Sequence, residues 1–91
     1  MKTIRLMISG RVQGVGFRHF TRDAAAALGI DGWVRNRMDG RVEALARGSD
    51  EALKAFRAAC RQGPPASRVD DIAEQADDSV PGSGFFQGPT V

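Results

Sequence analysis

The sequence predicts an α+β fold in which two helices cover one face of a mostly antiparallel sheet. Two observations lead to this prediction. Short segments of alternating apolar residues flank two longer segments with apolar residues at helical spacing, and Asp39-Gly40 is a strong hairpin signal. With 91 residues the chain has the length of one domain, so we expect residues 1–91 to form a single unit.

The first strand and the first helix are predicted near the start of the chain. Residues 3–9 alternate between apolar and polar side chains, which predicts a strand with one face on the core. Helical spacing begins at residue 17, and Gly29 is a suitable stop. The predicted core-facing residues of these two elements are Ile4, Leu6, Ile8, Phe17, Phe20, Ala24 and Leu28.

A β-hairpin is predicted in the middle of the chain. Residues 31–38 and residues 41–47 are its two strands, and the Asp-Gly pair between them is the turn. Val34 and Asn36 share the inward face of the first of these strands, and we expect Trp33 to belong to the core.

One more helix and two strands are predicted in the second half. Ser49 is a suitable N-cap for a helix that Gly63-Pro64-Pro65 ends. Residues 68–76 suit a fourth strand, and residues 85–91 suit a short fifth strand that Pro89 confines to a sheet edge. This order is that of the split βαβ, ferredoxin-like sandwich with one added strand. Many unrelated activities share that fold, so function must be argued from particular residues.

The composition excludes several classes of protein. A net charge of +2 is weak support for nucleic-acid binding, so no nucleic-acid partner is expected. A single cysteine, Cys60, and a single histidine, His19, exclude an internal disulfide and metal sites built from several Cys or His. No segment approaches the ~18 apolar residues of a membrane span, and no heptad pattern demands a dimer. We therefore expect a cytoplasmic monomer without membrane association.

The glycine-rich segment Gly10–Arg18 lies between the first strand and the first helix. Glycines permit positive φ, so successive backbone N–H groups can converge on one spot, and the start of a helix adds unpaired N–H groups. Arg18 is placed to add a guanidinium there. Such a socket suits a small dianion, of which phosphate is the obvious candidate. The alternative is a tight turn that binds nothing.

Two better-known glycine motifs do not match this segment. A Walker loop requires a lysine, and Gly10–Arg18 contains none. A dinucleotide fingerprint that starts at Gly14 has His19 where its last glycine should be. No cofactor is therefore expected.

Asn36 is a second candidate site residue, because its amide is predicted on the inward face beside Val34. A buried amide requires partners for both its N–H groups and its carbonyl oxygen. The spacing leaves two interpretations open: the side chain binds a ligand, or it hydrogen-bonds to neighbouring backbone.

Two long segments resemble a known family. The patterns Gly-x-Val-Gln-Gly-Val-x-Phe-Arg at Gly10–Arg18 and Gly-Trp-Val-x-Asn-x-x-Asp-Gly-x-Val-Glu at Gly32–Glu43 are similar to those of the acylphosphatases. The similarity continues through Ala27–Ile30 and Gly63–Val69, so it covers nearly the whole chain. The segment Gly84–Val91 departs from the family, since it has an additional aromatic residue and no charge.

The resemblance implies metal-independent hydrolysis of a small acyl phosphate to a carboxylate and inorganic phosphate, with phosphate as product and inhibitor. The family's essential arginine falls on Arg18, and its essential asparagine, which would hold the attacking water, falls on Asn36. His19 is expected at the surface with its ring turned away from the site. The family's phosphate cradle falls on the backbone of Gln13, Gly14, Val15, Gly16 and Phe17.

A non-catalytic anion-binding or RNA-binding module on the same fold is the alternative. RNA binding by this fold requires exposed aromatic residues on the central strands, and residues 41–47 contain none. The acylphosphatase-like part of a carbamoyl-transfer enzyme is a further alternative, but such parts belong to much longer chains.

Overall fold

The computed structural model describes all 91 residues and contains one five-stranded sheet and two helices. The elements are β1 (Lys2–Arg11), α1 (Phe17–Ala27), β2 (Asp31–Asn36), β3 (Val42–Gly48), α2 (Asp50–Gln62), β4 (Arg68–Asp77) and β5 (Phe85–Gln87). The sheet order is β4-β1-β3-β2-β5, and neighbours are antiparallel except for β2 and β5. The predicted ferredoxin-like arrangement is confirmed. The longer helix has 13 residues, and neither helix could span a membrane.

The core lies between the two helices and one face of the sheet. Alternation along β1 directs Ile4, Leu6 and Ile8 into this core, as predicted. Phe56 and Cys60 of α2 are fully buried against the same cluster. Burial raises the pKa of the Cys60 thiol to about 12, so this cysteine is a packing residue and not a nucleophile.

The buried side of α1 differs from the prediction. Phe17, Thr21 and Ala25 are buried, whereas the predicted core residues Phe20, Ala24 and Leu28 are only partly buried. Thr21 tolerates burial because its hydroxyl donates to the carbonyl oxygen of Phe17 at 2.8 Å. A threonine whose hydroxyl donates to a backbone carbonyl one turn earlier in the helix can replace an apolar residue in the core.

The prediction that Trp33 belongs to the core is wrong. Val34 points inward with 0% exposure, so its neighbour Trp33 lies half-buried on the opposite, outer face of the sheet. The guanidinium carbon of Arg35 lies 4.4 Å from the Trp33 ring centroid, and that of Arg5 lies 5.7 Å away. Two cations therefore contact the Trp33 ring on a face of the sheet where its strand neighbours are Leu45 and Phe86.

Glu43 is a buried carboxylate on this outer face. Its side chain is 2% exposed and accepts hydrogen bonds from Arg35 and Arg37, each at 2.9 Å, and from Arg5. Burial by itself would raise the pKa of Glu43, but hydrogen bonds from the three guanidinium groups outweigh burial and hold that pKa below its usual value. Ionised Glu43 therefore ties β1 and β2 to β3.

The loop of the hairpin begins two residues earlier than predicted, because β2 ends at Asn36 and not at residue 38. The N–H of Arg37 donates to the carbonyl oxygen of Arg41 at 2.8 Å and closes the loop. Asp39 accepts from the Arg41 guanidinium at 2.7 Å and from the Arg41 N–H at 3.0 Å. These two hydrogen bonds lower the pKa of Asp39 to about 2.

The fifth strand is shorter than predicted, since it contains only Phe85–Gln87. It pairs in parallel with β2 at the edge of the sheet, which confirms the edge position. The N–H of Val91 still donates to the carbonyl oxygen of Asn36 at 3.1 Å. The chain thus continues along β2 beyond Pro89. Because the N–H of Gly88 donates to Val34 of β2, the nitrogen of Pro89 faces the open edge of the sheet, where its missing N–H removes no hydrogen bond to β2.

Candidate active site

The loop between β1 and α1 has the backbone geometry of an anion cradle. Gly14 and Gly16 have φ values of +72° and +79°, in the left-handed region. A Cβ atom at either position would meet no atom within 4 Å, so the backbone conformation, and not lack of space, requires glycine. The N–H groups of residues 13–19 have no acceptor within the protein and are therefore available to a ligand.

Arg18 and Asn36 lie at the same pocket as this cradle. The pocket has a volume of about 170 Å³. Its lining consists of Gly14, Gly16, Arg18, His19, Asn36 and Gln87, together with the buried Val12 and Phe17. The structure thus brings the two motifs of the sequence together at one place.

Two predicted cradle residues direct their side chains away from this pocket. Val15 is partly buried against the core. The Nε2 atom of Gln13 donates to the carbonyl oxygens of Arg37 and Arg41, at 2.7 and 2.9 Å. Only the backbone groups of these two residues are available to the cradle.

Arg18 is free to bind an anion. It forms no ion pair, whereas Arg35, Arg37 and Arg41 each contact a carboxylate. No carboxylate lines the pocket, and the first turn of α1 contains no acidic residue. The positive end of the α1 dipole adds to the charge of Arg18, so the pocket favours a dianion.

The carboxamide of Asn36 makes no hydrogen bond within the protein and opens to the pocket. Its backbone is fixed on both sides, because Asn36 pairs with Val42 of β3 and accepts from Val91. Of the two interpretations that the sequence leaves open, the structure therefore favours a side chain that is free to bind a ligand.

His19 is exposed, as predicted, and stands at the rim of the pocket. Its Nε2 lies 3.2 Å from a carboxylate oxygen of Asp23, one turn further along α1, and its Nδ1 lies 3.1 Å from Nη2 of Arg22. The ring is thus engaged along the helix surface.

Gln87 is a pocket residue that the sequence did not reveal. Phe85 faces the core, so Gln87, two residues later, faces the same side of the sheet. Parallel pairing places Gln87 opposite Val34, two residues before Asn36. Alternation within β5 indicates that Gln87 lies on the same face as Phe85. No local signal in the sequence shows that β5 pairs with β2.

A larger groove of about 390 Å³ lies on the outer face, around Trp33 and Phe86. The arginine that lines it, Arg5, is already bound to Glu43 and Asp77. The smaller pocket is therefore the better candidate for the active site, because its arginine, Arg18, forms no ion pair.

The fold and this pocket define a small α+β protein with a positively charged pocket at the start of a helix. A family model described as acylphosphatase matches residues 4–87. The chain therefore belongs to the acylphosphatase family, which confirms the resemblance of its two motifs.

Individual relatives agree with this assignment. An acylphosphatase of Rhizorhabdus wittichii is 52% identical, over 96% of this chain and 88% of the relative, and one of Rhodospirillum rubrum is 48% identical over the whole of both chains. The crystal structure of acylphosphatase from Bacillus subtilis superposes with a TM-score of 0.89 at 45% identity and covers 96% of this chain and 97% of that one. The chain is thus a hydrolase that acts on a small-molecule acyl phosphate.

Proposed function

We propose that the pocket hydrolyses acyl phosphates without a metal ion. The backbone of Gln13–Phe17 and the Arg18 guanidinium hold the phosphoryl group, and Asn36 positions the water. One observation carries this proposal: N–H groups without acceptors, an arginine without an ion pair and a carboxamide without a partner all meet at one pocket. Each is a group that hydrogen-bonds to phosphoryl oxygens or to water.

The phosphoryl group is the part of the substrate that the pocket binds. The forked guanidinium of Arg18 donates to two phosphoryl oxygens, and the N–H groups of the loop donate to the remaining acceptor positions. The left-handed conformations of Gly14 and Gly16 fix these N–H groups before the substrate arrives. They therefore need no rearrangement when the charge distribution changes in the transition state.

Water attacks the phosphorus atom in line with the bond to the acyl oxygen. The carboxamide oxygen of Asn36 accepts a hydrogen bond from this water and orients it. The new P–O bond forms as the acyl P–O bond breaks, the electron pair leaves with the carboxylate, and the proton of the water passes to a phosphoryl oxygen. Inorganic phosphate occupies the same cradle and is expected to inhibit competitively.

This reaction requires neither a general acid nor a carboxylate base. The conjugate acid of the leaving carboxylate has a pKa near ~4, so the group departs unprotonated. Phosphoryl transfer through a loose transition state depends mainly on positioning and charge stabilisation. The only imidazole at the pocket, that of His19, is held against Asp23 and Arg22.

We also propose that residues 1–91 act as one acylphosphatase domain, as a monomer in the cytoplasm and without a nucleic-acid partner. The family match over residues 4–87 and one hydrophobic cluster support a single domain. A lone, buried cysteine suits a reducing compartment. Gel filtration and an RNA titration at low salt test the monomeric state and the absence of nucleic-acid binding.

The first experiment measures benzoyl phosphate hydrolysis in EDTA for the wild type, Arg18→Gln and Arg22→Gln. Arg22 is a matched control, because it lies one turn further along α1, outside the pocket, beside Asp23. We expect the wild type and Arg22→Gln to turn over with competitive inhibition by phosphate. Arg18→Gln should lose about 10³-fold in kcat/KM, because a charged donor to the transition state is removed.

Three results would contradict the proposal. Loss of wild-type turnover in EDTA would contradict metal independence. Equal losses in the two arginine variants would contradict the role of Arg18. A folded wild type that binds phosphate without turnover would leave a non-catalytic anion-binding module on this fold.

A further inference from the structure

The side chain of Gln13 joins the two halves of the pocket. Gln13 is the first residue whose backbone belongs to the cradle. Its Nε2 atom donates to the carbonyl oxygens of Arg37 and Arg41 at 2.7 and 2.9 Å. Arg37 directly follows Asn36 in the chain. One carboxamide nitrogen therefore connects the loop that holds phosphate to the strand end that carries Asn36.

Hydrogen bonds within the protein hold the hairpin end of this connection. The N–H of Arg37 donates to the carbonyl oxygen of Arg41 at 2.8 Å, so the two acceptors of Gln13 are held side by side. The Arg37 guanidinium in turn donates to buried Glu43 at 2.9 Å. A primary amide has two N–H donors, and both are used here, one on each carbonyl oxygen.

We infer that Gln13 is a positioning residue, whose side chain fixes the distance between the phosphate cradle and the Asn36 carboxamide. This inference rests on the proposed function. The cradle itself depends on the conformations of Gly14 and Gly16 and on the start of α1, and not on the Gln13 amide. Gln13 therefore contributes to turnover and not to the binding of phosphate.

The size of the effect follows from the geometry of in-line attack. Without the two hydrogen bonds, the loop and the hairpin can move relative to each other, and the water held by Asn36 leaves the line of attack. A displacement of about 1 Å costs up to about 10²-fold in rate. We expect kcat to fall by about 10- to 100-fold, with KM and the inhibition constant of phosphate within about threefold of the wild type.

The test compares Gln13→Met, which keeps the length of the side chain without its donors, with Gln75→Met as a matched control. Gln75 is exposed on β4 and makes no side-chain hydrogen bond within the protein. Steady-state kinetics give kcat and KM, and phosphate titration followed by NMR gives the affinity of the cradle. The shorter variant Gln13→Asn provides a second comparison if Gln13→Met does not fold.

A double-mutant cycle with Asn36→Ala separates positioning from a general structural role. If Gln13 acts through Asn36, Gln13→Met lowers the rate in the wild type but changes the residual rate of Asn36→Ala by less than about twofold. Equal fold-losses in both backgrounds overturn the inference. So does a Gln13 variant with normal kcat, or one whose phosphate affinity falls in parallel with its rate.

These outcomes are distinct from a failure of the proposed function. Absence of turnover in the wild type contradicts the hydrolytic mechanism itself. Normal turnover in Gln13→Met, with a wild type that is active, contradicts only the positioning role of Gln13.

Discussion

The buried carboxylate of Glu43 accepts a hydrogen bond at 2.9 Å from Arg37, the residue that directly follows Asn36. Glu43 on the outer face of the sheet therefore holds the end of β2, which carries the Asn36 carboxamide into the pocket. The carbonyl oxygen of Arg37 also accepts a hydrogen bond from Gln13. Arg37 therefore connects Glu43 to the loop that forms the cradle.

Removal of the Glu43 charge should destabilise the protein strongly. Glu43→Gln leaves Arg5, Arg35 and Arg37 close together without their shared carboxylate. Breaking a buried ion pair costs 3–5 kcal/mol, and because these arginines are partly exposed we expect about 2–3 kcal/mol from urea unfolding. The matched control is Glu74→Gln, which breaks the exposed pair with Arg57 and should cost under about 1 kcal/mol. Equal losses in the two variants would contradict this account of Glu43.

The Asp39–Arg41 contact should make hairpin stability depend on pH. The pKa of Asp39 is lowered from 3.8 to about 2 in the folded protein. A depressed folded pKa contributes stability that is present above the unfolded pKa and is lost as pH falls through the folded one. Thermal unfolding midpoints of the wild type and Asp39→Asn should therefore differ above pH 3.8 and converge towards pH 2. A constant difference across that range would show that the ionised carboxylate does not contribute.

Replacement of Gly14 should weaken phosphate binding. Its φ of +72° is costly for residues with a Cβ, so Gly14→Ala shifts the loop and turns its N–H groups away from the pocket. We expect phosphate affinity to fall about tenfold while global stability falls by only about 1 kcal/mol. Gly82→Ala is the control, since a Cβ there also meets nothing within 4 Å and its φ is not positive. Phosphate titration by NMR measures both variants, and unchanged binding in Gly14→Ala would argue against the backbone cradle.

Gln87 should influence which acyl group is preferred. Its carboxamide lines the pocket and makes no hydrogen bond within the protein. Gln87→Leu replaces a polar group by an apolar one, which is worth about 1 kcal/mol for an apolar substrate group. We expect the ratio of kcat/KM for benzoyl phosphate over acetyl phosphate to rise about fivefold. Phe86→Leu on the opposite face is the control, and an unchanged ratio in both variants would place the acyl group away from Gln87.

Periodicity predicted the fold because its signals are local, whereas the pair Arg18 and Asn36 was implied by the resemblance of the two motifs to the acylphosphatases. The alternation of Ile4, Leu6 and Ile8 and the N-cap at Ser49 depend only on neighbouring residues, and the structure confirms both. The meeting of Arg18 and Asn36 at one pocket agrees with the resemblance, while their catalytic roles stay predictions.

The features that the sequence could not provide depend on which strands become neighbours. Alternation with inward Val34 already places Trp33 on the outer face, but the sequence could not show that Arg5 of β1 would lie beside its ring. Gln87 was missed because its place in the pocket depends on the parallel pairing of β5 with β2. The Gln13 contacts likewise join a loop to a hairpin more than 20 residues away in the chain, at separations of 24 and 28 residues.

The position of β1 between β4 and β3 has a consequence for folding kinetics. β1 pairs with β3 and with β4, so that Thr3 lies opposite both Arg47 and Asp77. Contacts between residues so distant in sequence slow folding, because the chain must close large loops before it gains their stabilisation. The cradle follows β1 directly, so we expect it to become complete only after β1 has paired with both neighbours. Inorganic phosphate should consequently bind the native state alone and slow its unfolding, acting as a kinetic stabiliser as well as a product.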